Sequence, residues 1–430
     1  MSLQRVLLRL SGGRELSALG DQALVSGANF ATNVILARAL GMRDFGIFSL
    51  AWMAVLFAAS LQWAFIVSPM MSVGPKQEEA ERPTYYAAVL AQELAFALLA
   101  VLVLIVGMKI CADRFPKWNV QGLGLPLSFA CFSYLVQDFL RRYFFSTRRS
   151  LRALACDGIS YITQIPLIVL FLRRPGFTAS TALWIIGGTS LFAFVIGFLW
   201  FEKLRFDVSV IRPITIRHWK ISRWLAPSAF MQWSSGNLFT VAAPVYYGAA
   251  AAAILRSAQN IVGVAHIWFL GLDNVVPAEA ARKMHSEGID SAFHYIKQIA
   301  LRWGLITLVF VSIVSAKPDL WVRLVYGNKY ASYGYILQLY AALYLMTFFS
   351  SPLRAGLQAL EYTAPAFWSY LAMTVFSVAF AAPFSRVLGL KGALLGMIAT
   401  QVISQCIVGL GLISRVRRLK REQLTAPING

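Results

Sequence analysis

Long apolar runs separated by short connections are the feature that most restricts how this chain can fold. Twelve such runs of about 20 residues recur, and no connection between them exceeds about 25 residues. They lie near 20–37, 47–68, 85–107, 123–140, 155–172, 181–201, 224–247, 254–276, 293–315, 333–352, 364–384 and 392–413. Charged residues make up only 13% of the chain, against about 25% in soluble domains. The sequence therefore predicts an all-α integral membrane protein with twelve transmembrane helices.

The positive charge of the chain, +20 at pH 7, lies mostly in the connections. The most basic are 141–152, 202–223 and the segment from 415. A cytoplasmic N-terminus puts most of this charge on the inside, and an even number of spans then makes the C-terminus cytoplasmic as well. Anionic membrane lipids are the expected partner of these segments, and nucleic acid is not, because no segment outside the membrane is long enough to read it. The N-terminal stretch MSLQRVLLRLSGGREL is interpreted as a retained cytoplasmic segment.

The longest internal connection falls at the middle of the chain, which suggests a duplication. The stretch SGANFATNVILARALGMRDFG (26–46) aligns with SGNLFTVAAPVYYGAAAAAIL (235–255). Parallel repeats of this kind form two six-helix bundles around a central cavity. The predicted divisions are an N-terminal lobe at 1–201, a cytoplasmic linker at 202–223, a C-terminal lobe at 224–414 and a basic cytoplasmic tail at 415–430.

Motifs for catalysis or cofactor binding are missing from the sequence. No connection is long enough for a soluble catalytic domain, and no phosphate-binding G-x-x-x-x-G-K-[ST] motif is present. The four cysteines, Cys111, Cys131, Cys156 and Cys406, show no metal-ligand spacing. We expect a transporter rather than an enzyme, with no catalytic residues, no metal site and no cofactor beyond coupling to H⁺ or Na⁺.

Several stretches resemble the polysaccharide transporter family, the O-antigen and exopolysaccharide flippases of the multidrug/oligosaccharidyl-lipid/polysaccharide (MOP) superfamily. They are NFATNVILARALGMRDFGIFSL at 29–50, VYYGAAAAAILRSAQNI at 245–261, RLVYGNKYASYGYILQLYA at 323–341, LRAGLQALEYTAPAF at 353–367 and LGLKGALLGMIATQV at 388–402. The resemblance implies two six-helix lobes, alternating access and an isoprenoid-pyrophosphate substrate that carries a sugar repeat unit. The multidrug branch has the same twelve-span plan, so architecture does not separate the branches.

The eighth run carries ionisable groups on one helical face. Arg256, Gln259, His266 and Asp273 share this face, and lipid alone would not solvate them. The resemblance associates an arginine at the position of Arg256 with the anionic headgroup of the substrate, with Gln259 beside it; snorkelling to the outer interface is the alternative. His266 is a candidate for proton coupling or a neutral packing residue, and Asp273 a candidate ion carrier or a helix cap.

Four further polar residues lie in other runs. Asn29 and Asn33 form a stripe that either packs against a helix or binds sugar hydroxyls. Glu93 lies deep in the third run, as a coupling group or as the partner of a basic residue. Arg302 lies near the middle of the ninth run, where it requires a cavity or a carboxylate partner; we predict that it holds the pyrophosphate together with Arg256.

These observations predict a flippase in the bacterial inner (plasma) membrane. It would move a polyprenyl-pyrophosphate-linked oligosaccharide, an O-antigen or exopolysaccharide repeat unit, to the outer leaflet, with a polysaccharide polymerase and glycosyltransferases as candidate partners. A cation-coupled exporter of drugs or small metabolites is the alternative, and it should present a cavity rich in carboxylates. A membrane enzyme acting on lipid-linked sugars is a third possibility, and it would alter the labelled lipid chemically.

Overall fold

A computed structural model of the chain describes residues 13–425 except 116, 117 and 119, and it describes no side chains for 13–19, 274 and 422–425. Most of the predicted N-terminal cytoplasmic segment and the end of the predicted tail therefore lie outside the described residues. The chain divides into two compact units, Met1–Phe230 and Met231–Gly430. All regular secondary structure in the described part is helical.

The first unit is built on four long helices and one kinked one. Its helices are α1 (Gly13–Gln62), α2 (Ser68–Val73), α3 (Arg82–Arg114), α4 (Gly124–Ser146), α5 (Ser150–Leu172), α6 (Ala179–Phe198) and the first part of α7 (Val208–Tyr247). A π-helical turn, Trp63–Val67, joins α1 to α2. Helix α4 packs against α3, α5 and α6, and α1 packs against α5. The aromatic side chains of Phe139, Tyr143 and Phe144 are fully buried in this core.

The second unit repeats this plan with the rest of α7 as its first helix. It continues with α8 (Ala250–Val262), α9 (His266–Glu287), α10 (Ile289–Ala316), α11 (Pro318–Tyr326), α12 (Gly334–Ala359) and α13 (Ala364–Thr425). A single 3-10 turn, Gly263–Ala265, keeps α8 and α9 in one helical run. Helix α12 packs against α9, α10 and α13, so it occupies the centre of the unit as α4 does in the first.

One kink divides each of the two longest helices, and a glycine forms it in both cases. Gly41 in α1 has φ 75° and ψ 175°, and Gly389 in α13 has φ 64° and ψ −145°. Residues with a Cβ rarely adopt positive φ, so glycine is required where the chain reverses between two apolar segments without a longer loop. The first kink lies between the first two helical segments of the first unit, and the second kink lies between the last two segments of the second unit. The two units therefore differ in detail.

The helices have the length and surface of membrane spans. Eight helical runs among the described residues are long and apolar enough to cross a membrane. Two of them, 57 and 58 residues long, contain the kinks, and each is long enough to cross a hydrocarbon core of about 30 Å twice. On α3 the side chains of Leu98, Leu102 and Val106 are more than half exposed, which favours lipid over water as their surroundings. The predicted all-α membrane fold is confirmed, while the number of twelve spans stays a prediction.

Candidate functional sites

A buried ion-pair network joins three helices of the first unit. Arg141 of α4 donates from Nε to Asp21 Oδ2 of α1 at 2.9 Å, and the same Nε lies 2.9 Å from Asp157 Oδ2 of α5. Asp21 is fully buried, and Asp157 and Arg141 are 2% and 12% exposed. Because a buried charge is tolerated only when it is paired and hydrogen-bonded, this arginine holds α1, α4 and α5 together.

The network extends along α4 through neighbouring polar residues. Asp138 accepts from Arg142 at 3.3 Å, and the Arg142 guanidinium lies 4.8 Å from the centre of the Trp63 ring. Gln137 donates to Asp157 at 3.2 Å and accepts from Ser160 at 3.2 Å. In the sequence Asp157 lies close to the basic segment 141–152, which predicts an arginine of that segment as its partner, and Arg141 is that partner. The contact of Asp21 was missed because it depends on the packing of α1 against α4, whereas Asp138 lies on α4 itself, four residues before Arg142.

Glu93 lies in the core of the first unit rather than on a pocket wall. The fully buried Gln62 donates from Nε2 to Glu93 Oε1 at 2.6 Å and to the Leu135 carbonyl at 2.7 Å. Glu93 Oε2 and Gln62 Oε1 have no hydrogen-bond partner among the described residues. Among the described residues Glu93 also forms no ion pair. The structure therefore does not show the basic partner that the sequence offered as the alternative to a coupling role.

The first unit contains a narrow polar pocket in which the structure brings Asn29 and Asn33 together. The pocket has a volume of about 10 Å³, which is room for about one water molecule. Its wall is formed by amides, hydroxyls and rings: Asn29, Thr32, Asn33, Phe48, Trp52, Tyr134, Tyr161, Gln164, Ile186 and Ser190. Asn33 donates to the Asn29 carbonyl at 2.8 Å, and Gln164 donates to Thr32 at 2.9 Å. Both predicted residues thus face the interior of the unit.

Arg256 and Gln259 lie together in the second unit, as their spacing predicts. Arg256 Nη1 donates to Gln259 Oε1 at 3.1 Å, and the guanidinium is partly buried within electrostatic range of Tyr326, Tyr340 and Tyr344. It forms no ion pair among the described residues. A guanidinium surrounded by phenols and an amide keeps donors that an anion can accept from. The tyrosines were not predicted, because they come from α11 and α12.

His266 and Asp273 occupy different surroundings despite sharing a helical face. The exposed ring of His266 lies 5.2 Å from that of Tyr344, the tyrosine that also lies near Arg256. Asp273 accepts a hydrogen bond from Ser351 and lies 3.6 Å from Arg354 Nη2. Asp273 therefore contacts residues of α12, which weakens its case as an ion carrier.

A wider pocket lies within the second unit, among α7, α12 and both parts of α13. Its volume is about 160 Å³, and it is lined by Gln232, Ser235, Gly236, Arg354, Ala366, Ser369, Tyr370, Met373, Gln401, Ser404 and Val408. Gln232 donates to the Tyr370 hydroxyl at 3.4 Å, and the hydroxyls of Ser369 and Ser404 lie 2.8 Å apart. From the sequence, Gln232 and Gly236 of α7 and Gln401 and Ser404 of α13 are interpreted as helix-packing residues, so the pocket was not predicted.

The structure places Arg302 outside the packed face of α10. It lies on the exposed face of α10, which also carries Leu301, Leu305 and Val309, and the described residues give it no ion pair. The buried face of α10 carries Gly304, Thr307 and Val311 instead. That Arg302 lines a site with Arg256 therefore stays a prediction.

Comparison with known proteins identifies the fold. No family model and no curated protein matches the chain. Solved structures do: an inward-facing multidrug resistance MATE family transporter of the MOP superfamily matches with a TM-score of 0.72 at 15% identity, over 94% of this chain and 96% of that one. An outward-facing MATE transporter matches with a TM-score of 0.60 at 16% identity, over 96% and 95%.

A third solved structure is a MOP superfamily transporter from Pyrococcus furiosus whose reverse polarity of the binding pocket suggests a different function. It matches with a TM-score of 0.62 at 13% identity over 94% of each chain. At these identities the likeness shows the fold alone. The chain thus has the multi-pass fold seen in MOP superfamily transporters. Two of these three structures are multidrug resistance MATE transporters, and the polysaccharide branch suggested by the sequence is not confirmed.

Proposed function

We propose that this chain is an alternating-access exporter whose cargo is a small neutral or anionic amphiphile. The MOP fold supports an exporter, and the solved structures favour small-molecule export over lipid-linked oligosaccharide transport. An organic cation is the expected cargo where a cavity is rich in carboxylates. The polarity of the pockets argues against such a cargo here.

The observation that carries the cargo class is the charge of the two pockets. None of the residues lining either pocket is acidic; amides, hydroxyls and aromatic rings dominate both, and the one charged residue is Arg354. An acidic partner is needed to compensate the desolvation of a bound cation, so these walls favour neutral or anionic groups. One of the similar structures is described as having a pocket of reverse polarity, which supports a fold that accommodates more than one kind of cargo.

Coupling to H⁺ or Na⁺ is the proposed energy source. Moving one charge across the membrane is worth about 2.3 kcal/mol per 100 mV, so a few coupled charges suffice without ATP. Glu93 is the first candidate, since it is buried beside Gln62 and forms no ion pair in the described part of the chain. His266 is the second, and Asp273 is the weakest because Arg354 and Ser351 engage it.

A flippase for polyprenyl-pyrophosphate-linked oligosaccharide is the second candidate function, and Arg256 is the observation in its favour. A partly buried guanidinium next to Gln259 and three tyrosines can bind a pyrophosphate through several charge-assisted hydrogen bonds. Asn29 and Asn33 would then bind sugar hydroxyls in the first unit, in a conformation that widens their pocket beyond its present volume of about 10 Å³. We place this activity, like the exporter, in the bacterial inner membrane with both termini cytoplasmic, where anionic lipids contact the basic connections and a polymerase and glycosyltransferases act in the same pathway.

Proteoliposomes containing the purified protein test both candidates. An imposed ion gradient should drive transport of a fluorescent organic anion but not of ethidium, a cation. Arg256→Ala should reduce anion transport at least about tenfold if the lost interaction is worth 1.4 kcal/mol or more. Arg282→Ala is the matched control, because this arginine is 73% exposed and pairs only with Glu279 within the described residues.

The same vesicles can be loaded with a fluorescent polyprenyl-pyrophosphate-linked sugar to measure leaflet exchange. Exchange that depends on Arg256, without transport of the soluble anion, would favour the flippase over the exporter. Transport of ethidium alone, unchanged in Arg256→Ala, would contradict the proposed cargo class. Chemical change of the labelled lipid would point to the enzyme instead.

A further inference from the structure

The pocket of the second unit is larger than helix packing requires. Its volume of about 160 Å³ is below the roughly 300–1,000 Å³ of cavities that hold drug-sized ligands, so it fits one small moiety rather than a whole drug. The buried hydroxyls of Ser235, Ser369 and Ser404 form its floor. Gln232 is exposed at its rim together with Arg354. The pocket is therefore polar, and its one charged residue, Arg354, lies at its exposed side.

Some hydrogen-bond donors of this pocket have no partner among the described residues. Arg354 is 37% exposed, and its only ion-pair partner in the described residues is Asp273, at 3.6 Å, which is long for a hydrogen bond. Gln401 accepts from Ser350 at 3.3 Å, while its amide nitrogen has no hydrogen bond to a described residue. A guanidinium with free donors binds a carboxylate in a bidentate manner, and serine hydroxyls both donate and accept.

Comparison with the pocket of the first unit supports a ligand-binding role for the pocket of the second unit. The pocket of the first unit is lined by both segments of α1 together with α4, α5 and α6, and the pocket of the second unit by α7, α12 and the two parts of α13. Each pocket thus involves the first and the last segments of its unit. The first pocket is nearly filled and carries no charge, while the second is open and carries Arg354. The repeat has diverged at the position where a ligand would sit.

We propose that the pocket of the second unit binds a small polyhydroxylated carboxylate, with the carboxylate on Arg354 and the hydroxyls on the serines of the floor. The inference deepens the proposed function, on which it rests, by naming the moiety of the cargo that this unit recognises. Asp273 then competes with the ligand carboxylate for Arg354, because it lies beside this arginine when no ligand is bound.

Three sugars of one ring size and different charge test this assignment: glucuronate, glucose and glucosamine. Their binding to the full-length protein in detergent can be measured by saturation-transfer NMR and by thermal stabilisation. Glucuronate should bind about tenfold more tightly than glucose, and glucosamine the most weakly. Equal binding of the three sugars, or no binding of glucuronate at millimolar concentration, would overturn the proposal.

Variants locate the binding. Arg354→Gln should bring glucuronate down to the affinity of glucose, while Arg354→Lys should keep part of the preference. Asp273→Asn should strengthen glucuronate binding severalfold by freeing the guanidinium. Arg386→Gln is the control, because it removes the same charge from an exposed arginine of α13 that does not line the pocket. A preference for glucuronate that survives Arg354→Gln would place the ligand elsewhere and contradict the proposal.

The two proposals can fail separately. Glucuronate binding that depends on Arg354, in a protein that transports no anionic amphiphile in vesicles, would leave this site intact and remove the exporter. Anion transport without any glucuronate binding would leave the exporter and remove this site. Thermal unfolding of each variant confirms that a loss of binding does not come from a loss of fold.

Discussion

Removing Arg141 should destabilise the first unit more than removing any exposed arginine. The Arg141→Ala variant leaves Asp21 and Asp157, which are 0% and 2% exposed, without their cation. Breaking a buried ion pair costs about 3–5 kcal/mol, since the remaining charge stays desolvated. At about 2–4 °C per kcal/mol for a unit of this size, the melting temperature should fall by about 6–20 °C.

The assay is thermal unfolding in detergent, and the chain offers a matched control. Arg149 pairs with Glu202 at 2.5 Å, but both side chains are about one-third exposed, so Arg149→Ala should cost at most about 1 kcal/mol. Adding Asp21→Asn and Asp157→Asn to Arg141→Met should recover much of the loss, because neither buried aspartate then keeps a charge without its cation. A shift for Arg141→Ala no larger than that of Arg149→Ala would refute this account of the network.

Two further predictions concern the linker and the helix contacts of the second unit. His218 lies in the predicted linker, its Nε2 is 3.0 Å from the Tyr85 hydroxyl, and burial lowers its pKa to about 4. The unfolded state therefore binds a proton at His218 below about pH 6.5, while the folded state does not. The contribution of neutral His218 to the free energy of unfolding is complete above that pH and is lost as the pH falls towards 4. Between pH 7 and pH 5 the melting temperature should fall less in His218→Gln than in the parent; equal falls would contradict the prediction. Gly396→Ala should cost about 1–3 kcal/mol or more, because a Cβ there overlaps the buried ring of Phe239. Phe239→Leu in the same chain should restore part of the melting temperature, and an unchanged melting temperature in Gly396→Ala would disprove the close contact.

The predicted spans agree with the helices because both depend on local properties. A run of about 20 apolar residues must cross the membrane as a helix, since only a helix satisfies its own backbone hydrogen bonds in lipid. The same local reasoning predicts a basic partner for Asp157 from segment 141–152 and puts Arg256 and Gln259 on one helical face, and the structure shows a contact in each case. These are features that a single helix and its flanking loop determine.

The parts that the sequence did not predict depend on which helices meet. Arg141 belongs to the basic loop in sequence, but its position between Asp21 and Asp157 follows from the packing of α1, α4 and α5. For Arg302 the prediction considered depth along the helix without the face. Leu301 and Leu305 flank it on the exposed side, whereas Gly304 and Thr307 mark the packed side. A helical wheel of α10 would have shown this difference.

The distribution of partners among the acidic side chains narrows the choice of coupling group. In the described residues, three buried or partly buried carboxylates are engaged by arginines: Asp21 and Asp157 by Arg141, and Asp138 by Arg142. The exposed Asp273 lies beside Arg354. Glu93 has an amide partner instead. Burial without a cation opposes a negative charge, so Glu93 is the group whose charge state a local rearrangement can change at the lowest cost. Acids that are already paired hold helices together, and the arginines with free donors are left for an anionic cargo.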